Sequence, residues 1–418
     1  MKHYSYIFYN LVFLMLKNFQ ISKYCIILII KIKFFLIVPV ILFGQNELKI
    51  GIEKTEAYLP LINDKNVAIV SNHTSKFYNS NKSIHLVDSL LKLNVNIIKV
   101  FAPEHGFRGN SDAGEKIVNT VDLKTGLPII SLYGDKKKPD KNDLKNIDVI
   151  IFDIQDVGAR FYTYLSTLNY IMEGCAENNI DLIILDRPNP NGHYIDGPVM
   201  KKESMSFVGL HPVPIVYGMS IGEYAKMING ENWLNNSYLK ATTNNSKCKL
   251  TIIEMSDYNR LEKYKLPEKP SPNLPNQKSI NLYPSLCFFE QTPISVGRGT
   301  DKQFQIIGSS DWEVTNFNFK PKSMKGAKYP KFENILCNGY NLENEKYLSK
   351  INLRWLILAY KKEKNKETFF RSGFHRLAGN KELENQIKNE ISESEIKKSW
   401  EKDLNEFKKI REKYLIYN

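Results

Sequence analysis

Between residues 66 and 186 the chain alternates short β-branched runs with longer amphipathic ones, and each short run ends in a polar cluster. The short runs fall at 67–70, 95–101, 127–132, 147–153 and 180–185, and apolar residues recur at helical spacing over 83–93 and 161–178. Strands that alternate with helices in this way build a parallel sheet. The pattern predicts an α/β fold with a Rossmann-like sheet domain. No GxGxxG or GxxxxGK[ST] occurs, so the likeness is one of architecture, and a dinucleotide or P-loop reading has no support.

The polar clusters lie at 71–74, 104–106, 133–134, 153–160 and 186–190. In an open parallel sheet all of them emerge on one edge, where ligands bind outside the carboxyl ends of the strands. The densest is the loop 101–109, which concentrates Glu104, His105 and Arg108 between Pro103 and Gly109. Together the clusters offer Asn72, His105, Arg108, Gln155, Arg160 and Asn189 as binding groups, with Glu104, Asp153 and Asp156 as carboxyls. Tyr162 offers a stacking face, although aromatics at such spacing more often fill a core.

After Gly197 the texture changes to scattered prolines, a helical stretch at 221–228 and a proline-rich segment at 267–275. The expected organisation is a leader at 1–44, a Rossmann-like catalytic domain at 45–205 and a second, α+β domain at 206–418, with the active-site cleft between the two domains. Rigid loops at 271–275 and 297–300, which carry Asn273 and Arg298, are suited to close over a ligand. Beyond residue 380, Lys and Glu alternate around Leu383, Ile387, Ile391, Ile396, Trp400, Leu404, Phe407, Ile410 and Tyr414, the mark of amphipathic helices packed on the body.

Residues 1–44 hold five Lys, no Asp or Glu, and apolar runs at 26–30 and 34–43 that end at Gly44. This is the pattern of a secretory signal, with Leu42 a poor fit at the third position back and Met15 the start of a more ordinary version. An uncleaved anchor is the alternative, and Lys31 and Lys33 argue against it by interrupting the apolar run. The folded part is therefore expected to be exported, periplasmic or associated with the cell envelope. Removing the five Lys takes the formal charge from +13 to +8. That balance suits an anionic polymer, yet no nucleic-acid motif accompanies it, and no membrane contact beyond the leader is expected. Cys25 lies in the leader, and Cys175, Cys248, Cys287 and Cys337 are far apart without a CxxC pair, as expected of buried free thiols.

A partly desolvated carboxyl after Pro103 suits Glu104 to general-acid work; the competing reading pairs it with Arg108 or Arg160. Asp153 and Asp156 leave one strand together, and two carboxylates flanking a bond are the usual glycosidase equipment, although Asp156 could instead cap the following helix. His73, His105, Asp153 and Asp186 make only a weak case for a metal, because no HExxH spacing occurs. No cofactor is expected. A Ser nucleophile lacks a GxSxG elbow.

These segments carry a resemblance. Residues 67–72, 101–109 with 112–115, 153–164, 186–192, 218–223, 271–275, 297–300 and 374–379 resemble, in order, the exo-β-N-acetylmuramidase family of peptidoglycan hydrolases, formerly a domain of unknown function. The resemblance implies release of N-acetylmuramic acid from the non-reducing end of peptidoglycan fragments. It implies Glu104, in the Pro-Glu-His-Gly motif, as principal catalytic carboxyl, and leaves Asp153, Asp156 and Glu290 as candidates for its partner. Attack by the substrate's own 2-acetamido group remains open, as does oligomeric state. The chain departs from the family pattern at Tyr217, where His is frequent, at Gln305, where Glu is common, and at Glu390, where Gly is usual. The rival classes are a non-catalytic muropeptide-binding protein and a metal-dependent deacetylase or esterase.

Overall fold

The structure is a computed structural model that describes residues 47–79, 82–108, 119–236 and 247–418. Residues 1–44, expected as a leader and holding Cys25, and the 112–115 segment lie outside the described residues. The first half supplies α1 (Thr55–Ile62), β1 (Val67–Ser71), the hairpin β2 (Lys76–Asn79) and β3 (Lys82–His85), α2 (Leu86–Lys92), β4 (Ile97–Ala102), β5 (Thr120–Val121), β6 (Pro128–Ser131), β7 (Val149–Asp153), α3 (Tyr164–Asn178), β8 (Asp181–Leu185), α4 (Ile221–Gly230) and β9 (Lys249–Ile253). Seven of the strands form one sheet in the order β5-β6-β4-β1-β7-β8-β9, parallel throughout except for β5 at the edge.

All five expected strands are present. They read as nearly unbroken apolar runs because the sheet is covered on both faces. Ala68, Val70, Phe101, Ile150, Phe152, Leu182 and Ile184 point into one core with Leu168 and Ile171 of α3 and Tyr224 and Ile228 of α4. The alternate residues Val67, Ile69, Val100, Val149, Ile151, Ile183 and Leu185 pack on Tyr58 and Ile62 of α1 and Leu86, Val87 and Leu90 of α2. The expected helix at 83–93 starts only at Leu86, since antiparallel pairing of β3 with β2 claims 82–85. The helix expected from 161 starts at Tyr164, after a turn.

The second half contributes α5 (Gln277–Leu286), an antiparallel sheet of order β10-β12-β11 built from β10 (Ile306–Ser309), β11 (Asn318–Phe319) and β12 (Cys337–Asn341), and then α6 (Arg354–Lys362), α7 (Phe374–Ala378), α8 (Glu382–Lys388), α9 (Glu393–Ser399) and α10 (Glu401–Glu412). The last three are the amphipathic helices read from the sequence, with Leu383, Ile387, Ile396, Leu404 and Phe407 buried and Ile391 left exposed. The first sheet draws β9, and its covering helix α4, from beyond residue 205. Residues 48–418 form one compact unit, and Phe152, Tyr283, Phe288, Trp355 and Phe374 belong to the same core. Cys175, Cys248, Cys287 and Cys337 are free and buried. Among the described residues no helix is long and apolar enough to cross a membrane.

Glu390, where the resemblance leads one to expect glycine, follows α8 with φ 57°. A left-handed conformation costs a non-glycine residue about 1–2 kcal/mol, against roughly 0.5–1 kcal/mol of extra chain entropy lost by glycine. Glu390→Gly should therefore stabilise the fold by about 0.5–1 kcal/mol, read as a higher midpoint in thermal or urea unfolding.

Candidate active site

Taken along the chain, the parallel strands follow the doubly wound order 3-2-1-4-5-6, which places the topological switch point between β1 and β7. Ligands commonly enter such sheets there. In this chain the crevice is closed by its own polar groups. The Ser75 hydroxyl donates to the Asp153 carbonyl, and the Gln155 amide donates to Thr74 Oγ1 at 3.1 Å. Asn72 Oδ1 accepts from Thr74 N at 2.9 Å and Oγ1 at 2.7 Å, and its Nδ2 donates to the Tyr164 hydroxyl at 2.8 Å. The Asp153 carboxylate is fully buried and gripped by Arg187 through Nε at 2.5 Å and Nη2 at 2.9 Å. Burial lowers the Arg187 pKa, but the Asp153 charge outweighs it and holds it above the ordinary value.

Most of the other sequence candidates on this edge are also engaged within the fold. Gln155 Nε2 donates to the carbonyls of Asp156 and Pro188, both at 2.8 Å. Asn189 Nδ2 donates to the Met219 carbonyl at 2.8 Å, and Tyr162 Oη to the Pro270 carbonyl at 2.8 Å. Arg160 is buried, and its guanidinium donates to the carbonyls of Pro198, Val213, Leu377 and Ala378. Asp156 accepts from Gly158 N at 2.7 Å and from the Tyr217 hydroxyl, so Tyr217 serves to hold a buried carboxyl. Burial, only partly offset by these bonds, pushes Asp156 up to about 6. Gln305 is buried and accepts from Asn276 at 3.0 Å.

Glu104 stands apart from this interlocked centre. It follows β4 on a turn closed by Gly106 N to the Pro103 carbonyl at 3.0 Å, with His105 at φ 71° and Gly106 at φ 75°. Left-handed backbone at a buried non-glycine residue is strained and recurs at functional sites. The loop base is fastened by Arg108, which stacks on Phe107 and pairs with Asp122 at 2.7 Å and Asp88 at 3.2 Å. Thr163, at the start of α3, donates its hydroxyl to Glu104 Oε2 at 2.7 Å, and Tyr133, just after β6, lies near enough to feel the Glu104 charge. Burial, reinforced by that carboxylate, raises the Tyr133 pKa.

Glu104 lines a cavity of about 560 Å³ together with Glu290 and Arg298. Glu290 sits on a 3₁₀ turn (Cys287–Gln291) that continues α5. Arg298 Nε meets its Oε1 at 3.1 Å. Lys331 Nζ donates to the carbonyls of Phe289, Thr292 and Ile294 at 2.7, 2.7 and 3.0 Å, and Arg371 N donates to the Gln291 carbonyl at 3.0 Å. Burial raises the Glu290 pKa, yet the charges of Arg298, Lys331 and Arg371 outweigh it and hold the carboxyl below its ordinary value. Lys328, exposed Tyr329 and Pro330 complete that wall.

The structure thus brings Glu104, Glu290 and Arg298 together and leaves Asp153, Asp156, Gln155, Arg160, Tyr162 and Asn189 in the framework. His105 is buried beside Glu104, and Asn273 supports the cavity wall through Gly326. Sequence reasoning placed Tyr133 in a strand-end cluster without giving it a role, and did not single out Thr163, Lys331, Arg371 or Tyr329. The basic and aromatic run 328–331, with its proline, was a signal for the last group. Among the described residues no three His, Cys, Asp or Glu side chains converge as metal ligands would.

A doubly wound sheet with two carboxyls in one cation-walled cavity beyond its strand ends has the equipment of a glycoside hydrolase. The profile of the exo-β-N-acetylmuramidase NamZ N-terminal region matches residues 67–278, and that of its C-terminal region matches 281–417. The chain belongs to this family of exo-acting glycoside hydrolases. It is 38% identical over 344 residues to the peptidoglycan β-N-acetylmuramidase NamZ of Bacillus subtilis strain 168, a match covering 77% of this chain and 80% of that one. Two solved structures of DUF1343 family proteins from Bacteroides fragilis NCTC 9343 share the fold. One has a TM-score of 0.79 at 44% identity and the other 0.68 at 27%, and each match covers 89% of this chain and 99% of the other.

Two substitutions separate framework carboxyls from chemistry. Asp153→Asn leaves Arg187 buried without its counter-charge and should cost about 3–5 kcal/mol of stability, measured by urea unfolding. Asp156 has a folded-state pKa near 6 against an ordinary value of 3.8. The folded state therefore binds the extra proton between those values, and stability drawn from it is lost as pH rises through 6. Relative to Asp156→Asn, the wild type should lose unfolding free energy from pH 4 to pH 6 and hold level above it.

Proposed function

We propose that the chain releases N-acetylmuramic acid from the non-reducing end of peptidoglycan fragments, with Glu104 protonating the glycosidic oxygen and Glu290 as the partner carboxylate. The observation that carries this reading is that Glu104 and Glu290 line one cavity while cationic groups hold Glu290 ionised. Arg298, Lys328, Lys331 and Arg371 in the same wall suit the lactyl carboxylate that distinguishes muramic acid from other N-acetylhexosamines. An ionised Glu290 is fit to activate water or to steady the 2-acetamido group during internal attack, and the anomer of the first product separates these routes. The leader at 1–44 fits the reading, because export places the enzyme with its polymer in the cell envelope.

General-acid assistance contributes about 10²–10⁴-fold to rate, and it matters most when the leaving group is a sugar. Glu104→Gln should reduce release of muramic acid from a muramyl disaccharide by about that factor, and much less from a nitrophenyl muramide whose leaving group needs no proton. Circular dichroism and thermal melting should match the wild type. Undiminished turnover of the disaccharide by a folded variant would remove Glu104 from the chemistry. Wild-type release that survives EDTA would separate the reading from a metal-dependent esterase.

A further inference from the structure

The helical run that carries Glu290 ends against a lysine from a distant part of the chain. α5 passes into the 3₁₀ turn Cys287–Gln291, and the carbonyls at the end of such a run have no partner within it. Lys331 reaches them from the loop between β11 and β12. Its Nζ lies 2.7 Å from the Phe289 carbonyl, 2.7 Å from that of Thr292 and 3.0 Å from that of Ile294. These acceptors bracket Glu290 along the chain.

A carbonyl only accepts, so three of them around one nitrogen require three N–H donors, and only the ammonium form of lysine has them. The negative pole of a helical C-terminus favours the same charge. Burial lowers the Lys331 pKa to about 8, against the pull of the Glu290 charge, so the group is protonated at neutral pH. Its bonds go to the main chain around Glu290 and not to the carboxylate, whose direct partner is Arg298 at 3.1 Å. With all three hydrogens engaged, Lys331 contributes charge to the cavity wall and leaves hydrogen bonding of a ligand to the other cations.

The base from which this side chain extends is itself fixed. On one side Pro330 lies so close to Gly299 that an added Cβ there would come within 2.7 Å of its ring, and Gly299, at φ 81°, directly follows Arg298. On the other side Phe332 packs on Ile306, Phe319 and Cys337 of the antiparallel sheet. Residues 330–332 thus hold the turn of Glu290 through one ammonium and the loop of Arg298 through one proline.

We propose that Lys331 is a positioning residue for the reaction: its ammonium fixes the 289–294 turn that presents Glu290 to the cavity shared with Glu104, and places a positive charge near that carboxylate. The proposal rests on the glycosidase reading above. The groups around Glu290 are Arg298, Lys331 and Arg371, which favour its ionised form, Tyr283 and Cys287 of its own helical run, and Glu104 and Lys328 on the same cavity. Removing one of the three cations that favour ionisation should raise the pH at which Glu290 takes up a proton.

The test measures kcat, KM and the acid limb of the kcat/KM profile on a nitrophenyl muramide for three variants, with thermal melting beside them. Lys331→Met removes bonds and charge, Lys331→Gln keeps an amide donor without charge, and Lys331→Arg keeps the charge. Lys331→Met should lower kcat at least about tenfold with a smaller change in KM, since misplacing a reacting group by about 1 Å can cost about 10²-fold. Both neutral variants should move the acid limb to higher pH, and Lys331→Arg should leave it in place; should Lys331→Met fold poorly, the contrast of Gln with Arg still decides. A lower melting temperature with an unmoved limb in a neutral variant, a rise in KM at constant kcat, or equal shifts in Lys331→Gln and Lys331→Arg would overturn the assignment. A wild type that cleaves neither this substrate nor a muramyl disaccharide would instead overturn the glycosidase reading itself.

Discussion

The buried ion pair of Arg187 with Asp153 sets where the rest of the sheet edge can act. It joins the tips of β7 and β8 at the centre of a doubly wound sheet, with both side chains essentially out of water. Desolvating two such charges is expensive, and the pair is tolerable only with the bidentate geometry it has. Around it Asn72, Thr74, Ser75 and Gln155 knit β1 to β7. The switch-point crevice, the ordinary ligand entry of this architecture, is thereby filled with protein. The open cavity lies further out, over β4, where Glu104 meets a wall supplied by the second half of the chain.

The same economy of buried charge explains why the two halves share a core. Arg160 donates to carbonyls at 198, 213, 377 and 378, so one guanidinium bonds the first sheet's loops to α7. Asp186, at the tip of β8, accepts from Ser220 Oγ and Gly222 N at the start of α4 and from Tyr417 Oη at the chain's end. Glu223 receives Arg260 at 2.8 Å and the backbone amides of Ile416 and Tyr417. The C-terminal helices are thus bound to the sheet edge by polar groups as well as by Leu404 and Phe407. Such anchoring keeps the cavity's far wall, including Glu290, Arg298 and Lys331, in fixed register with Glu104.

The strands were legible because burial on both faces writes itself as continuous β-branched runs, and the C-terminal helices because one apolar stripe faces a core. Their starts were less legible. Helical spacing at 83–85 is overridden by pairing with β2, a contact that periodicity within one segment does not carry. At the site, a polar cluster at a strand end announced that something is bound there but not what. Asp153 and Glu104 look alike in sequence, each an acid just after an apolar strand. What separates them is Arg187, 34 residues on from Asp153, and Thr163, 59 on from Glu104. Glu290 and Arg298, by contrast, are eight residues apart and meet on one turn.

The partners of the two cavity carboxyls also differ in kind. Arg298 and Lys331 can only donate, so the field around Glu290 is satisfied by the ionised form alone. Glu104 accepts from the Thr163 hydroxyl, and a hydroxyl can rotate from donor to acceptor. That bond can persist whether or not the carboxyl carries a proton. In the proposed reading, Glu104, the acid that must cycle, keeps one partner able to reverse its hydrogen bond, while Glu290, the carboxylate that stays charged, is paired with a guanidinium.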